Sequence, residues 1–544
     1  MSNLSQKKQN SLRKINIWYI VFSVLFSAML IISRHIFYTN EGVSTVDSTY
    51  VTEFHIVDFI ALIPISMLVY ILIQALVFLI KSVSNIFYTQ KRKPSVLLFL
   101  GMVSVIFLLW IPYLMSYWPG GIYSDTVDTL DMALMKKPMT NHNPVLYTLL
   151  WRFIFRITGA FSGNGEYAGL KLFTVLQALL LALSLATFVY YCYRTGVQKK
   201  VVVFMLLFFA VFPLYPFYGV AMWKDTLFCI VLFLLCLFLY DSFVNSNGTF
   251  GILRIIIYSV LCLLTVFLRN NGIFIIIFSS VLTTLICIRK FPRTALKIGL
   301  SSAAVITVSL LIQIPFYNSR GYNDDSTVES LGIPLQQTAY ILSTDGEIDP
   351  QDYEVFNEIM PMENWHALYS PIVVDPIKFD PSFNRDYFME NSNLFMQSYM
   401  RTIRKNPVKA FKSYLLATMG FWDVYENSPV AYICNFHFSN ANYFMSDYFD
   451  YYFDISFRNF AEPKTFLSSA IFVWIMVASI FICLAKRNYT GLIPLLPSLG
   501  LWLTIMVATP VAFSFRYIYS LFLCTPIYFL VLLSVCNENK NPEQ

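Results

Sequence analysis

Charge is scarce in this chain: Asp, Glu, Lys and Arg make up 13% of its 544 residues, while 57% are apolar. A soluble protein carries about 25% charge, so a mean hydropathy of +0.59 excludes an ordinary soluble domain. The net charge of +6 is spread as short basic runs between apolar stretches. That pattern argues against a nucleic-acid face and reads as a topology signal. Nine cysteines are present, Cys434 alone clearly outside an apolar stretch, and no paired CxxC spacing exists. Neither a disulfide framework nor a zinc site is supported. The chain also lacks internal repeats and low-complexity tails. Its first apolar run follows Lys7, Lys8, Arg13 and Lys14 without a small-residue cleavage site, so it reads as an uncleaved anchor.

What the chain does have is apolar runs of about 17–25 residues, each long enough to cross a bilayer. They fall near 16–33, 57–80, 95–117, 169–193, 201–217, 226–243, 253–268, 272–288, 297–315, 466–485, 490–508 and 517–536. The basic clusters Lys91-Arg92-Lys93, Arg194 with Lys199-Lys200, Arg289-Lys290 with Arg293, and Lys486-Arg487 then share one side with the N-terminus. The positive-inside rule predicts a multi-pass protein of the cell membrane with both termini cytoplasmic. Four parts follow: an N-terminal hairpin over 1–94, a core over 95–315 with an outer loop at 118–168, an outer domain over 316–465, and C-terminal spans over 466–544. Within the outer domain, Leu335 to Leu342 and Met396 to Met419, broken near Pro407, read as helical.

The outer loop gathers Asp125, Asp128, Asp131, Lys136, Lys137 and His142 just beyond a span. Such a cluster beside an apolar span marks a candidate site, against the plainer reading of a surface turn. Ser124 or Asp125 is placed to cap a first amphipathic helix, and Asn143-Pro144 to start a second, with Asn143 as its cap. Three more polar groups fall at outer span ends: Lys224-Asp225, Arg269-Asn270, and Arg516-Tyr517. Singly, each cation reads as a snorkelling anchor. Together, Lys224, Arg269 and Arg516 oppose the usual inside bias and point to one anionic ligand, a phosphate at the membrane surface. Asn141, His142, Asp225, Asn270 and Tyr517 are the neighbouring candidates for substrate contact.

In order along the chain, PGGIYSDTVD, TNHNPVLYTLLW, MWKDTLF, LRNNG, IPLQQTAYIL, KNPVKAFKSYLLATMGFW and FRYIY resemble GT-C membrane glycosyltransferases, relatives of protein O-mannosyltransferases and aminoarabinose transferases. More narrowly they are similar to a group of multi-spanning proteins of Gram-positive bacteria that has no assigned activity. The resemblance runs from about Trp118 to Tyr519. It implies an all-α polytopic membrane protein of about 12 transmembrane helices with an extracytoplasmic α-rich mixed domain. It also implies transfer of a sugar from a polyprenyl-phosphate donor, with Asp125 matching the loop aspartate that acts as general base or orients the acceptor. The phosphate role of Lys224, Arg269 and Arg516 comes from the topology and not from the resemblance.

The partners expected are a polyprenyl-phosphate-linked sugar, an envelope acceptor (polysaccharide, teichoic acid or protein) and membrane lipid, with no nucleic acid. No cofactor is certain. Asp125 and Asp128 are three apart, and no Asp-Asp or Glu-x-Asp pair occurs beside them, which leaves a divalent cation open. The aromatics Trp365, His366 and Trp422 either stack on sugar or pack the outer domain. Rival readings are a transporter or flippase, or a polymerase or ligase, of lipid-linked saccharides. A carrier places ionisable groups near the bilayer midplane, and the middles of these spans have none.

Overall fold

A computed structural model describes residues 15–38, 49–162, 165–322, 328, 330–424, 445–458, 468–508, 511 and 514–537. The basic N-terminal residues and Cys434 lie outside them. The chain begins with α1 (Ile17–Arg34), the short antiparallel strands β1 (Ile36–Tyr38) and β2 (Thr49–Val51), and α2 (Ile56–Phe87). Then come α3 (Val96–Leu109), α4 (Ile111–Ser116), α5 (Ser124–Ala133), α6 (Val145–Thr158), α7 (Glu166–Thr195), α8 (Lys199–Val211) and α9 (Leu214–Val220). The core continues through α10 (Lys224–Tyr240), α11 (Ile252–Leu268), α12 (Gly272–Lys290) and α13 (Pro292–Leu311). A helical layer holds α14 (Gly332–Ser343), α15 (Pro350–Ile359), α16 (Met362–Leu368), α17 (Ser392–Lys405), α18 (Pro407–Thr418) and α19 (Tyr448–Phe453). The chain closes with α20 (Ala470–Ala485), α21 (Leu496–Val507) and α22 (Phe515–Cys536).

Among the described residues nine helices are long and apolar enough to cross a membrane, or ten when α8 and α9, bent by 47°, count as one span. The other two expected spans fall on α11 and α20, which are shorter apolar helices of 17 and 16 residues. The protein is thus a helical, polytopic membrane protein. The β1–β2 ladder is the one sheet among the described residues.

The bundle turns ordinary burial inside out. Phe59, Ile60, Ile63, Met67, Ile71 and Phe78 of α2 are exposed, a continuous apolar surface that water would not tolerate and lipid would. At the centre, α7, α10 and α22 bury Leu181, Leu185, Phe188, Phe228, Phe233, Ile518 and Leu523. Lipid is as apolar as these side chains, so their cohesion is close packing rather than escape from water. The N-terminal hairpin packs through Tyr19, Phe22, Val69 and Ile73 against Ile482 and Leu532 of the C-terminal helices.

The α14–α18 layer is built on different terms. On α15 the buried residues are Asp352, Val355, Phe356 and Ile359, at the spacing of one helical face, while the other face is exposed and polar. Trp365 is fully buried against Phe356 and donates to the carbonyls of Phe356 and Met360. Trp422 is buried and donates to Thr418 Oγ1. Trp365 packs the core of the layer, and Trp422 packs with Met29, Val51 and Leu416 where the layer meets the N-terminal hairpin; His366 is exposed. Pro407 does split the long helical stretch, into α17 and α18. The layer joins the bundle end through Tyr414, which donates to the Met506 carbonyl, and through Arg458, which donates to the Ser116 carbonyl.

Candidate functional site

At that same end two loops are zipped together. Gly121 N–H donates to the Val220 carbonyl at 3.0 Å, and Met222 N–H to the Gly121 carbonyl at 2.9 Å. Gln177 Nε2 fans out to the carbonyls of Tyr218, Gly219 and Ala221. Thr126 Oγ1 and Tyr147 OH both donate to the Met222 carbonyl. Tyr123 stacks on Trp223 with centroids 3.9 Å apart. These contacts hold the first turn of α5 beside the first turn of α10, which sets Asp125 near Lys224 and Asp225.

Asp125 is one residue inside α5, whose cap is Tyr123, so neither Ser124 nor Asp125 is the expected cap. The carboxylate is drawn instead to Arg516: Nη1 lies 2.7 Å from Oδ2, and Lys224 Nζ lies 3.9 Å from that same oxygen. Asn143 is not the cap of α6 either, since Pro144 occupies that place. Its Oδ1 accepts from Lys224 Nζ at 2.5 Å, and its Nδ2 reaches the Asp125 carbonyl at 3.4 Å. A charged donor outcompetes a backbone N–H for the amide oxygen. Lys136 and Lys137 lie beyond the end of α5. They pair with Glu166 and with Asp128 and Asp131.

Arg269 pairs with Asp225 at 3.2 Å. Its guanidinium lies 5.2 Å from the Phe228 ring centroid and 5.4 Å from that of Tyr517. Tyr517 also faces the Arg516 guanidinium at 5.0 Å and accepts from its Nη2 at 3.1 Å. Tyr517 thus sits against two of the three cations. Asn270 Nδ2 donates to the carbonyls of Asn141 and His142, which ties the turn between α5 and α6 to the entry of α12. Asn141 and His142 contribute their backbone here. All nine expected site residues are gathered in one region; Asn143, Gln177, Trp223 and Tyr123 complete it and were not foreseen as parts of it.

Burial would raise the carboxyl of Asp125. The opposing pull of Arg516 and Lys224, with a smaller one from His142, holds it well below the usual carboxylate range. Asp225 Oδ2 is buried without a hydrogen-bond partner among the described residues. No group of three or more His, Cys, Asp or Glu able to hold a metal occurs among them.

The charges run against local helix electrostatics. Asp125 and Asp225 suit helix N-termini, but Lys224 and Arg516 occupy first turns, where a cation costs roughly 0.3–1 kcal/mol. The N-termini of α5, α10 and α22 and the residues leading into α12 all present positive potential here, with three side-chain cations against two carboxylates. That surplus is what an anion would satisfy. An apolar cavity of about 520 Å³ opens between α2, α8 and α22, running from Phe472 and Phe522 toward Val83, Val201 and Leu533 at the basic end of the helices. Phe472 and Phe522 of its wall touch Phe515, the neighbour of Arg516.

No curated protein and no solved structure matches the chain. A family model described as "Family of unknown function (DUF6020)" matches residues 135–544, about three quarters of the sequence. The matched part takes in Lys224, Arg269 and Arg516 and begins just after the Asp125 helix. The chain belongs to this DUF6020 family.

Proposed function

We propose that the protein is a GT-C-type membrane glycosyltransferase that moves a sugar from a polyprenyl-phosphate donor to an envelope acceptor, polysaccharide, teichoic acid or protein, on the outer face of the cell membrane. The observation that carries this reading is the surplus of cations at converging helix N-termini, joined through Phe515 to the near wall, Phe472 and Phe522, of an apolar cavity deeper in the bundle. A lipid phosphate is the ligand whose two halves match those two surroundings. Lys224, Arg269 and Arg516 hold the phosphate, and the lipid chain leaves along the apolar side.

In the reaction, the acceptor hydroxyl oxygen attacks the anomeric carbon. The bond from that carbon to the phosphate oxygen breaks, and its electron pair stays on the polyprenyl phosphate. The three cations stabilise that leaving charge, an arrangement set before the reaction starts. The hydroxyl proton passes to Asp125, and general-base assistance of this type contributes roughly 10²–10⁴-fold. One displacement suffices, with no covalent intermediate.

The test is reconstitution. Purified protein in vesicles carrying polyprenyl-phosphate sugars from the source membrane should release sugar from lipid onto acceptor, and Asp125→Asn should slow this by about 10²-fold or more. Asp131→Asn, six residues farther along α5 and paired with Lys137, should do much less. Movement of intact lipid-linked saccharide across the vesicle without bond cleavage would favour the flippase reading, and full activity of Asp125→Asn would remove Asp125 from the chemistry.

A further inference from the structure

The site contains two ion pairs that differ in kind. Asp225 and Arg269 have side chains 4% and 14% exposed, with Arg269 clasped between Phe228 and Tyr517. Asp125 and Arg516 are 32% and 20% exposed, and Lys224 is 22% exposed. The first pair is walled in. The second is open to whatever enters from the bundle end.

The anchors differ as well. Lys224 keeps a neutral partner in Asn143, and Arg269 keeps Asp225. Arg516 has Asp125 as its close carboxylate, with Tyr517 beside it. An anion arriving among the three cations therefore finds one cation whose carboxylate can be exchanged without stranding a buried charge. Asp125 would turn to solvent, while Asp225 has nowhere to go.

We propose that Asp125 is a displaceable counter-ion. In the empty site it occupies Arg516 in place of the ligand's phosphoryl group, and the incoming phosphate takes Arg516 from it. This rests on the anion-site reading given above. It also resolves a conflict within that reading. A carboxylate held 2.7 Å from a guanidinium is a poor base, and one released by the donor's own phosphate is a better one. Asp125 thus becomes competent only when the donor is in place, which guards the site against attack by an acceptor with nothing to receive.

Competition has a signature opposite to that of a contact residue. Removing a group that touches the ligand weakens binding, whereas removing a competitor tightens it. The probe is farnesyl monophosphate, titrated into the full-length protein in nanodiscs and followed by calorimetry. Asp125→Asn should bind it about tenfold more tightly than wild type, the equivalent of freeing one charge-assisted hydrogen bond. Arg516→Gln should bind it about tenfold more weakly. Asp125→Ser, smaller and without charge, serves if the Asn variant does not fold, and should also tighten binding.

Unchanged or weaker binding by the Asp125 variants, with Arg516→Gln still impaired, overturns the displacement and leaves the anion site standing. Absence of farnesyl monophosphate binding in wild type and in the Asp125 variants alike overturns both.

Discussion

Asp125 shares one oxygen between two cations, and the sign of its pH dependence follows from that. Its folded-state pKa lies below the ordinary value of about 3.9, so it is ionised in folded and unfolded chains alike at neutral pH. The stability it contributes is fully present above about pH 5 and is lost as pH falls through the folded pKa. Both partners keep contact with solvent, so the contribution is about 1 kcal/mol or less. Thermal midpoints of wild type and Asp125→Asn should differ by a constant small amount from pH 8 to pH 5 and converge below pH 4. A gap that widens on acidification would mean the carboxyl is protonated in the folded protein and that Arg516 is not its partner. The charged members of the site were legible in the sequence because an ionisable group at the end of an apolar run has few structural reasons to be there. Asn143 was not. It looks like a helix cap by local rules, and only a contact across 81 positions, to Lys224, assigns it elsewhere.

The element that decides the site's geometry is the bridge between the Gly120-Gly121 loop and the Val220–Met222 strand-like turn. Gly120 has φ of +133°, and a Cβ there would run into the side chains of Thr174 and Met222 and the Val220 carbonyl. Gly159, which ends α6 at φ +74°, has nothing within 4 Å of that position. Gly159→Ala meets only the left-handed backbone penalty, about 1 kcal/mol. Gly120→Ala meets that penalty and must also part the two loops, for a total of about 2–4 kcal/mol. Unfolding in detergent should rank them in that order, with transfer lost in Gly120→Ala even where protein remains folded. Equal effects would show that the bridge is not what holds Asp125. Pattern reading found the helices on either side of this bridge because apolar length is a local signal, as is the Pro407 break between α17 and α18. It misplaced the starts of α5 and α6 because their caps are settled by partners on α10 and α22. Trp365 followed the same logic: whether it faces ligand or core depends on Phe356 and Met360 beneath it, which no spacing reveals.

At the scale of the whole molecule, the site and the basic clusters occupy opposite ends of the same helices. α7 runs from Glu166, paired with Lys136 near the site, to Arg194; α12 runs from the Asn270-Asn271 entry to Arg289 and Lys290; α22 starts at Arg516. Arg92 closes the far end, donating to the carbonyls of Tyr193 and Val197 where α7 terminates. Cations at helix C-termini satisfy orphan carbonyls, so this cluster has a structural use as well as a topological one. The proposed orientation puts the basic end in the cytoplasm and the site outside, because retained Lys and Arg set topology. Single-cysteine labelling decides it. The eight described native cysteines are all buried and give little background, and Cys434 is replaced by Ser. Cysteines placed at the exposed Lys136 and Phe379 should react with a membrane-impermeant maleimide on intact cells, and cysteines at the exposed Lys93 and Lys200 only after permeabilisation. Reaction at Lys93 and Lys136 from the same side would break the alternation of spans between them. Reaction at Lys93 and Lys200 alone on intact cells would turn the protein over and place the anion site in the cytoplasm. Donors there are water-soluble nucleotide sugars as readily as lipid-linked ones, and the case for a polyprenyl phosphate would then rest on the apolar cavity by itself.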